Sequence, residues 1–208
     1  LSGKRHFSRE TIMHFRLGYS PLVDDGLTAM LIKRGFSDEE LIKTGLSVKR
    51  YKGLGDMFRG RIMVPLMDQM GEVVGFTARQ LIDDPNSPKY FNTPQTLLYD
   101  KGRQVFALAQ AKEAIRASNY VVVVEGNLDV ISSHQAGVRQ CVATAGTAIT
   151  EYHLKSLSKF TSDIRLCFDQ DSAGLAATER AIELAQGLDI KLSVVPIDGA
   201  KDPDEFIQ

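Results

Sequence analysis

The second half of the chain alternates short apolar runs with longer amphipathic stretches. The apolar runs have the length and the flanking residues of buried β-strands, and the stretches between them have the pattern of helices. Because the connections are short, this alternation predicts a parallel sheet with helices on both faces. The predicted strands cover residues 120–124, 141–145, 164–168 and 190–195, and the predicted helices cover residues 127–136, 151–160 and 173–186.

The first half has a mixed pattern of helix and strand signals. Ser8 predicts a helix that runs through Phe15, and Ser37 predicts a second helix, with Glu40 as the weak partner of a capping box. Two strand-like runs separated by a connection of hairpin length predict a β-hairpin. The remaining elements are predicted as strands at residues 61–66 and 73–79, a proline-containing loop at 82–97 and an Ala-rich helix at 104–117.

The change of pattern near residue 117 predicts two domains. Residues 1–117 form a mixed α+β domain, and residues 118–208 form a domain with the regular parallel sheet. A length of 208 residues is enough for one large core or for two modest ones. The predicted fold class is therefore α/β, with a mixed α+β domain before the parallel sheet.

Composition adds little to the fold but narrows the class of protein. The chain is 43% hydrophobic and 25% charged, which is ordinary for a globular protein. It has neither an apolar run of the roughly 18–20 residues that cross a bilayer nor a signal-peptide pattern. The first residue is Leu rather than Met, so we expect a fragment of a longer protein.

Both cysteines, Cys141 and Cys167, lie inside apolar strand-like runs. They are predicted to be buried thiols, since no second Cys or His pair stands at the spacing of a zinc site. The four histidines also lack metal-ligand spacing. Free thiols fit a reducing compartment, so the expected location is the cytoplasm.

The net charge of −1 hides an asymmetry between the two predicted domains. Residues 1–117 carry 18 Lys and Arg against 13 Asp and Glu, a balance of +5, and residues 118–208 carry 7 against 13, a balance of −6. A basic half beside an acidic half indicates one surface for phosphates and another for a metal ion. The alternative is two solvated surfaces of uneven composition.

Acidic residues follow two of the predicted strands directly. Glu125 comes after four consecutive valines, and Asp169 and Asp171 come after the strand at 164–168. An Asp-x-Asp pair can face one ion, because side chains two apart in an extended chain point to the same side, but alone it is equally a solvated loop with an N-cap aspartate. A third cluster repeats this spacing after the last strand, with Asp202 and Asp204 on either side of Pro203.

The carboxyl ends of neighbouring parallel strands meet at one edge of the sheet, where ligands bind. Carboxylates gathered there repel one another, and a divalent cation allows them to stay ionised together. The pattern therefore predicts a site that holds Mg²⁺ against phosphate. Three nearby residues are predicted to support it: Gly126 and Gly174 leave room for the backbone, and Asp129 lies one helical turn beyond Glu125.

This arrangement resembles the Toprim domain, in which a Glu after the first strand and an Asp-x-Asp after a later strand bind metal. Further segments, in the same order and over nearly the whole chain, resemble the bacterial DnaG-type primases. They are residues 58–65, 75–79, 88–94, 101–104, 124–130, 145–148 and 202–204. Two positions depart from that family: Gln170 replaces the usual Gly, and Asn127 stands where an aromatic residue is frequent.

The resemblance implies a primase catalytic core that synthesises short RNA primers on single-stranded DNA from ribonucleoside triphosphates. Glu125, Asp169 and Asp171 would be the catalytic metal ligands, joined by Asp202 and Asp204. The cofactor would be Mg²⁺, with Mn²⁺ as an alternative and no zinc in this part. A replicative helicase would be a partner through a C-terminal domain outside this chain, and no membrane partner is expected.

The same resemblance gives roles to the polar residues of the basic half. Template phosphates would be bound by arginines, whose guanidinium groups form forked bonds to phosphate. For each basic residue the alternative is a solubilising surface charge. The predicted template-binding residues are Arg59, Arg61 and Arg79, and the predicted nucleotide-binding residues are Lys89, Asn92, Lys101 and Arg103.

Other functions remain open on the sequence. A different Toprim enzyme, such as a nuclease or topoisomerase fragment, would use the same carboxylates for strand cleavage. A non-catalytic module could use Mg²⁺ only to bridge nucleic-acid phosphates. A haloacid-dehalogenase-like phosphatase also has Asp-x-Asp after a strand, but it would leave Glu125 and the basic half unexplained.

Overall fold

The computed structural model describes residues 6–51, 53–82, 84–197 and 205. Within them, no helix has both the length and the apolar character that a membrane span requires. The elements, in chain order, are α1 (Arg9–His14), β1 (Gly18–Ser20), α2 (Gly26–Lys33), α3 (Asp38–Lys43), β2 (Ser47–Arg50), β3 (Gly53–Asp56), β4 (Arg61–Met67), β5 (Val73–Gln80), β6 (Tyr90–Asn92), α4 (Leu108–Ser118), β7 (Val121–Val124), α5 (Asn127–Gln135), β8 (Cys141–Ala143), α6 (Glu151–Leu157), β9 (Asp163–Leu166), α7 (Ser172–Ala185) and β10 (Lys191–Val194).

The chain divides into two compact units. We call them the antiparallel unit, residues 12–66 and 73–100, and the parallel unit, residues 1–11, 67–72 and 101–208. Residues 101–117 thus belong with the parallel sheet in this division, although the predicted domain boundary lies at residue 117. The units are defined by contacts between residues, so the boundary between functional domains stays a prediction.

The antiparallel unit contains a four-stranded sheet in the order β1-β4-β5-β6 and a separate hairpin of β2 and β3. Strands β4 and β5 confirm the strands predicted at 61–66 and 73–79. The loop predicted at 82–97 is wrong for residues 90–92, which form β6 and pair with β5 in the register Thr77↔Asn92. This edge strand has only three residues and lies between prolines, so its turn-like surroundings conceal it.

Helix α3 confirms the Ser37 signal and makes the capping box stronger than predicted. The Ser37 hydroxyl accepts a bond from the Glu40 N–H at 3.3 Å, and Glu40 accepts one from the Ser37 N–H at 2.8 Å. The bond from the Ser37 N–H, together with one that the Ser37 hydroxyl donates at 2.7 Å, lowers the pKa of the Glu40 carboxyl. The pair therefore satisfies two backbone donors at the start of the helix.

Helix α2 was not predicted because its cap comes from elsewhere in the chain. The side chain of Asp25 makes no capping bond, and Asp56 at the end of β3 takes over that role. Its carboxylate accepts bonds from the backbone N–H groups of Leu27 at 2.9 Å and Thr28 at 2.7 Å. A cap supplied from 28 residues away leaves no local signature in the sequence.

The parallel unit confirms the predicted sheet. Its four strands lie in the order β10-β9-β7-β8, and every neighbouring pair is parallel. Val121 and Val123 point into a core with α4, α6 and α7, which includes Ile164 and Leu166 of β9. Helix α5 contacts β7 and β8 and contributes nothing to that core, so it covers the other face.

Two predicted elements of this unit are shorter than expected, and in both cases the backbone turns. Strand β8 ends at Ala143 because Ala145 and Gly146 have positive φ angles of 55° and 75°. Helix α4 begins at Leu108 because Ala107 has a φ of 64°. Alanine does not predict a turn, so the predicted strand and the predicted helix both extend beyond the observed boundaries.

The buried state of both cysteines is also confirmed. Cys141 and Cys167 are free and buried. Burial raises the pKa of the Cys141 thiol to about 12 and raises that of Cys167 as well. Both side chains therefore act as apolar core residues at neutral pH.

The strand order creates one particular crevice. The chain leaves β7 towards β8 on one side, whereas it leaves β9 towards β10 on the other side. The connections after the neighbouring strands β7 and β9 thus diverge, and such a switch point opens a crevice at the carboxyl ends of the strands.

Candidate functional site

Glu125 and Asp169 meet at this switch point. Glu125 directly follows β7, and Asp169 lies three residues beyond β9, which is paired with β7 in the register Val123↔Leu166. The backbone N–H of Asp169 donates a hydrogen bond to Glu125 Oε1 at 3.2 Å. The two acidic strand ends that the sequence singled out therefore lie together.

Asp171 is the N-cap of helix α7. Its Oδ1 accepts hydrogen bonds from the backbone N–H groups of Ala173 and Gly174, both at 2.9 Å. Because both bonds end on Oδ1, the cap leaves Oδ2 available. The N-cap interpretation of this residue is thus confirmed, and it is compatible with metal binding.

Gly174 is required by close packing at the same point. A Cβ at this position would lie 2.0 Å from the carbonyl oxygen of Asp169 and 3.0 Å from Glu125 Oε1. Gly126 has a similar relation to Asp129, since a Cβ there would lie 2.3 Å from Asp129 Oδ2. Both glycines therefore allow acidic groups to approach the backbone, as expected from the sequence.

Asn127, the first residue of α5, lies next to this edge. It is only 8% exposed, and its Oδ1 accepts no hydrogen bond from the residues that the structure describes. A large aromatic residue at this position would need more room than the buried amide takes. Nothing else in the structure explains why Asn127 stands where an aromatic residue is frequent.

The carboxylates fit a divalent cation in their chemistry. In the described part of the chain no three His, Cys, Asp or Glu side chains are grouped closely enough to enclose a metal ion, and Asp202 and Asp204 lie outside that part. Mg²⁺ commonly binds through one or two carboxylates and completes its shell with water and substrate phosphate. The edge formed by Glu125, Asp169 and Asp171 suits that mode.

A cavity of about 520 Å³ opens beside Glu125. Its walls come from the loop between β8 and α6 and from one face of α7. Most of the lining is apolar or small, and Arg180 is the basic residue in it. This volume is within the range of roughly 300–1,000 Å³ that is typical of small-molecule sites.

Lys101 and Arg103, two predicted nucleotide-binding residues, belong to the same unit as this cavity. The Thr150 hydroxyl donates to the carbonyl of Gly102 at 2.8 Å, and the guanidinium of Arg103 lies 4.9 Å from the ring centre of Tyr152. Residues 102 and 103 are thus held against the start of α6. Thr150 is not among the predicted site residues, although a Thr before a helix is a recognisable N-cap.

The three predicted template-binding arginines lie in the antiparallel unit, in different surroundings. Arg59 forms an ion pair with the exposed Asp24 and is itself 34% exposed. Arg79 lies over the ring of Tyr90, with 5.8 Å from its guanidinium carbon to the ring centre. Both can reach solvent at least in part.

Arg61, in contrast, is buried, with 7% of its surface exposed. Its guanidinium donates to the carbonyl of Pro88 at 2.9 Å and to the Ser87 hydroxyl at 2.6 Å, and it lies over the ring of Phe91. Burial lowers the pKa of this guanidinium. The geometry therefore ties Arg61 to the loop that precedes Lys89.

The remaining predicted nucleotide-binding residues lie near that loop. Lys89 is exposed, and its carbonyl accepts a bond from the Gln80 N–H at 3.0 Å. Asn92 accepts a hydrogen bond from the Thr77 hydroxyl across the β5–β6 pair. Lys89 is thus held by its backbone with its side chain exposed.

A second cavity, of about 480 Å³, lies in the antiparallel unit. Arg50, Arg59 and Arg61 contribute to its lining, together with the aromatic rings of Tyr19 and Phe91. Sequence reasoning missed Arg50, which the pairing of β2 with β3 brings to this wall. Arginines beside aromatic rings suit contact with nucleic acid.

Comparison with known proteins identifies both parts of the chain. Residues 1–112 match the profile of the DNA primase catalytic core, N-terminal domain, and residues 122–207 match the Toprim-like profile. The DNA primase of Synechococcus elongatus is 41% identical over 217 aligned positions, which cover 100% of this chain and 31% of that protein. The chain thus spans about a third of the length of the curated relatives it matches.

Solved structures agree with this assignment. The RNA polymerase domain of Mycobacterium tuberculosis primase DnaG is 39% identical, with a TM-score of 0.87 over 98% of this chain and 68% of that one. A DnaG primase catalytic domain bound to single-stranded DNA is 34% identical, with a TM-score of 0.86 over 98% of this chain and 64% of that one. With the fold, the carboxylate edge and both profiles in agreement, the chain belongs to the DNA primase catalytic core family.

Proposed function

We propose that the chain is the catalytic region of a bacterial primase, a nucleotidyltransferase that makes short RNA primers on single-stranded DNA. The observation that carries this proposal is the bond between Asp169 and Glu125, which gathers acidic groups at the switch point of the sheet. Membership of the DNA primase catalytic core family is consistent with primer synthesis. The chain covers only about a third of its relatives' length, so the activity, substrates and partners of the whole protein are proposals for this chain.

Glu125, Asp169 and Asp171 would hold Mg²⁺ or Mn²⁺, and Asp202 and Asp204 would contribute from outside the described residues. When bound, the cation supplies charge neutralisation for the triphosphate and for the leaving pyrophosphate. The protein's part is to hold the carboxylates in a fixed orientation. Asp171 does so through the two N–H groups at the start of α7, and Glu125 through the N–H of Asp169.

Lys101 and Arg103 would contact the nucleotide, and the contacts with α6 fix their segment in the parallel unit. Lys89 and Asn92 belong to the antiparallel unit and are separate candidates for binding nucleotide. Lysine offers a mobile point charge that suits a triphosphate. The guanidinium of Arg103 can bind phosphate oxygens in a fork.

Single-stranded template would contact the antiparallel unit through Arg59, which lines the cavity of about 480 Å³, and through Arg79, which lies over the ring of Tyr90. Arg61 serves the same surface indirectly, since its donors are used by the loop at residues 87–88. Binding through backbone phosphates would be weakened by salt. A modest excess of five positive charges over residues 1–117 favours low affinity.

The expected setting is the bacterial cytoplasm, at the replicating chromosome. Docking to a replicative helicase is proposed for a region of the longer relatives that this chain does not match. A two-hybrid or pull-down experiment therefore needs the longer protein, whereas primer synthesis can be tested with this chain.

The test is incorporation of labelled ribonucleotides on a single-stranded DNA template by the 208-residue chain with Mg²⁺. Wild-type protein is expected to give short RNA products that depend on the template. Asp169→Asn should reduce incorporation by at least about 100-fold, because it removes a negative charge from the metal-binding edge. The matched control is Asp189→Asn, an exposed loop position before β10.

Nicking of supercoiled DNA without ribonucleotide incorporation would replace this proposal with a cleaving Toprim enzyme. Metal-dependent DNA binding with neither reaction would indicate a non-catalytic module. Near-normal synthesis by Asp169→Asn would contradict the assigned role of that carboxylate.

A further inference from the structure

We propose that Arg180 is a further substrate-binding residue, which binds the triphosphate of the incoming ribonucleotide in the cavity beside Glu125. The inference rests on the proposed function and names the part of the substrate that this cavity receives. It begins from one fact: Arg180 and Glu125 line the same cavity, within one compact unit.

The spacing along α7 sets the geometry. Ala173, Ala176, Ala177 and Arg180 line the cavity, and these positions form one face of the helix. Arg180 lies six positions after Gly174, which corresponds to about 9 Å along the axis. A Cβ added at Gly174 would lie 3.0 Å from Glu125 Oε1, so this distance approximates the separation of Arg180 from Glu125 along the helix.

The arginine side chain shortens that distance. Side chains on a helix lean towards its N-terminus, so the guanidinium of Arg180 is directed back along α7 to the acidic edge. The alanines between leave the space open. A triphosphate whose cation is held at Glu125 and Asp169 therefore has a guanidinium within reach of its far end.

The chemistry of the lining indicates an anion. Apart from Glu125 and Arg180, the walls are formed by Ala, Ile, Phe, Gly and Thr residues. Arg180 forms no ion pair or hydrogen bond with another residue in the described part of the chain. Its five donors are thus available for phosphate oxygens, which guanidinium binds in a fork.

Size and charge favour a single nucleotide over a nucleic-acid strand. A cavity of about 520 Å³ is a pocket for one small ligand, whereas a strand needs a continuous groove. Residues 118–208 carry 13 acidic against 7 basic side chains, which repels a long polyanion. A triphosphate that arrives with its divalent cation is largely neutralised and is not repelled in this way.

The test measures binding without requiring turnover. The probe is adenosine 5′-(α,β-methylene)triphosphate with Mg²⁺, titrated calorimetrically into the 208-residue chain, and adenosine serves as the ligand without phosphates. The variants are Arg180→Gln, which removes the charge, and Arg180→Lys, which keeps it without the fork. Arg139→Gln is the matched control, an exposed arginine just before β8 and therefore at the opposite edge of the sheet.

Arg180→Gln is expected to lower the affinity for the triphosphate by roughly 10- to 100-fold, which corresponds to the loss of a charge-assisted hydrogen bond. Arg180→Lys should lower the affinity by less. The Arg180 variants should bind adenosine and single-stranded DNA as wild type does. The Arg139→Gln protein should bind the triphosphate as wild type does. Circular dichroism of both Arg180 variants checks that α7 is retained. If Arg180→Gln does not fold, the triphosphate affinity of Arg180→Lys decides the test.

Unchanged triphosphate affinity in both variants overturns the inference, as does a wild-type chain that binds no triphosphate. Loss of single-stranded DNA binding with normal nucleotide binding overturns it in favour of a strand contact. An Arg180-dependent triphosphate affinity in a chain that makes no primers supports this inference and contradicts only the proposed function.

Discussion

The backbone N–H of Asp169 donates a hydrogen bond to Oε1 of Glu125, across the pair of strands β9 and β7. This bond fixes one carboxylate oxygen of Glu125 by main chain rather than by a mobile side chain. The second oxygen, Oε2, accepts no hydrogen bond from the described residues and can serve a cation. The orientation of Glu125 is therefore a property of the sheet itself.

Asp171 has two roles that one pair of substitutions separates. Asp171→Ala removes the acceptor for the N–H groups of Ala173 and Gly174 and should lower the free energy of unfolding by about 1 kcal/mol. Asp171→Asn keeps an equally good cap and should keep stability, while both variants lose Mg²⁺-dependent incorporation. Urea denaturation and primer synthesis are the two measurements.

If Asp171→Ala were as stable as wild type, the capping role would be wrong. If Asp171→Asn were fully active, the metal-binding role would be wrong.

Gly174→Ala should disrupt the acidic edge. Its Cβ would lie 2.0 Å from the carbonyl oxygen of Asp169, so the backbone of one segment has to move. We expect a loss of about 2 kcal/mol in the free energy of unfolding, as in overpacked cores, with a fall in incorporation. Guanidinium denaturation monitored by circular dichroism measures the first effect.

Gly18→Ala is the control for this substitution, because a Cβ there would meet nothing closer than 4.0 Å. Its stability should match that of wild type. A Gly174→Ala protein with wild-type stability and activity would show that Asp169 does not need this close approach.

Arg61→Lys should act on nucleotide use through the loop that carries Lys89. Lysine keeps the charge but cannot donate to both Pro88 and Ser87, so about 1–3 kcal/mol of stability is expected to be lost. The KM for ribonucleotides should rise more than kcat falls, because the loop is displaced and the acidic edge is not. Steady-state kinetics at varied ribonucleotide concentration measure both.

Arg34→Lys, at an exposed position after α2, is the matched control and should change neither quantity. If Arg61→Lys weakened single-stranded DNA binding while leaving KM unchanged, the direct template role first predicted for Arg61 would be favoured.

Tyr99 gives a prediction about alkaline pH. Burial, with the nearby charge of Asp100, raises the pKa of Tyr99 from 10.0 to about 12. Between these values the unfolded chain loses the phenolic proton and the folded chain keeps it, so this residue makes stability fall as the pH rises from 10 through 12. Tyr99→Phe should reduce that fall, as measured by urea unfolding across this range.

At pH 7 the same substitution should leave stability within about 1 kcal/mol of wild type, because the buried Tyr99 hydroxyl has no hydrogen-bond partner in the described residues. Tyr51→Phe is the control, since Tyr51 is fully exposed. An unchanged alkaline slope in Tyr99→Phe would contradict the raised pKa.

The parallel unit could be predicted well because its signals are local. Four consecutive valines predict a buried strand, and the acidic residues that follow β7 and β9 mark the edge where ligands bind. The expected proximity of Glu125 and Asp169 is confirmed by their hydrogen bond. The roles of these residues stay predictions until metal binding is measured.

The antiparallel unit could be predicted less well because its determinants are distant in sequence. Asp56 caps α2 from another strand, and β6 is a three-residue edge strand that depends on β5 for its conformation. Arg61 illustrates the same limit for the site. Its spacing from Arg59 indicated a shared surface, whereas burial and the bonds to residues 87 and 88 depend on the folded loop.

The crossing of the chain between β7 and β9 has a consequence for synthesis on the ribosome. Glu125 precedes Asp169 by 44 residues, and α5, β8 and α6 are made between them. A nascent chain that ends before β9 therefore exposes Glu125 without the backbone donor that orients it. The hydrogen bond that orients Glu125 therefore forms only once the ninth strand docks beside the seventh.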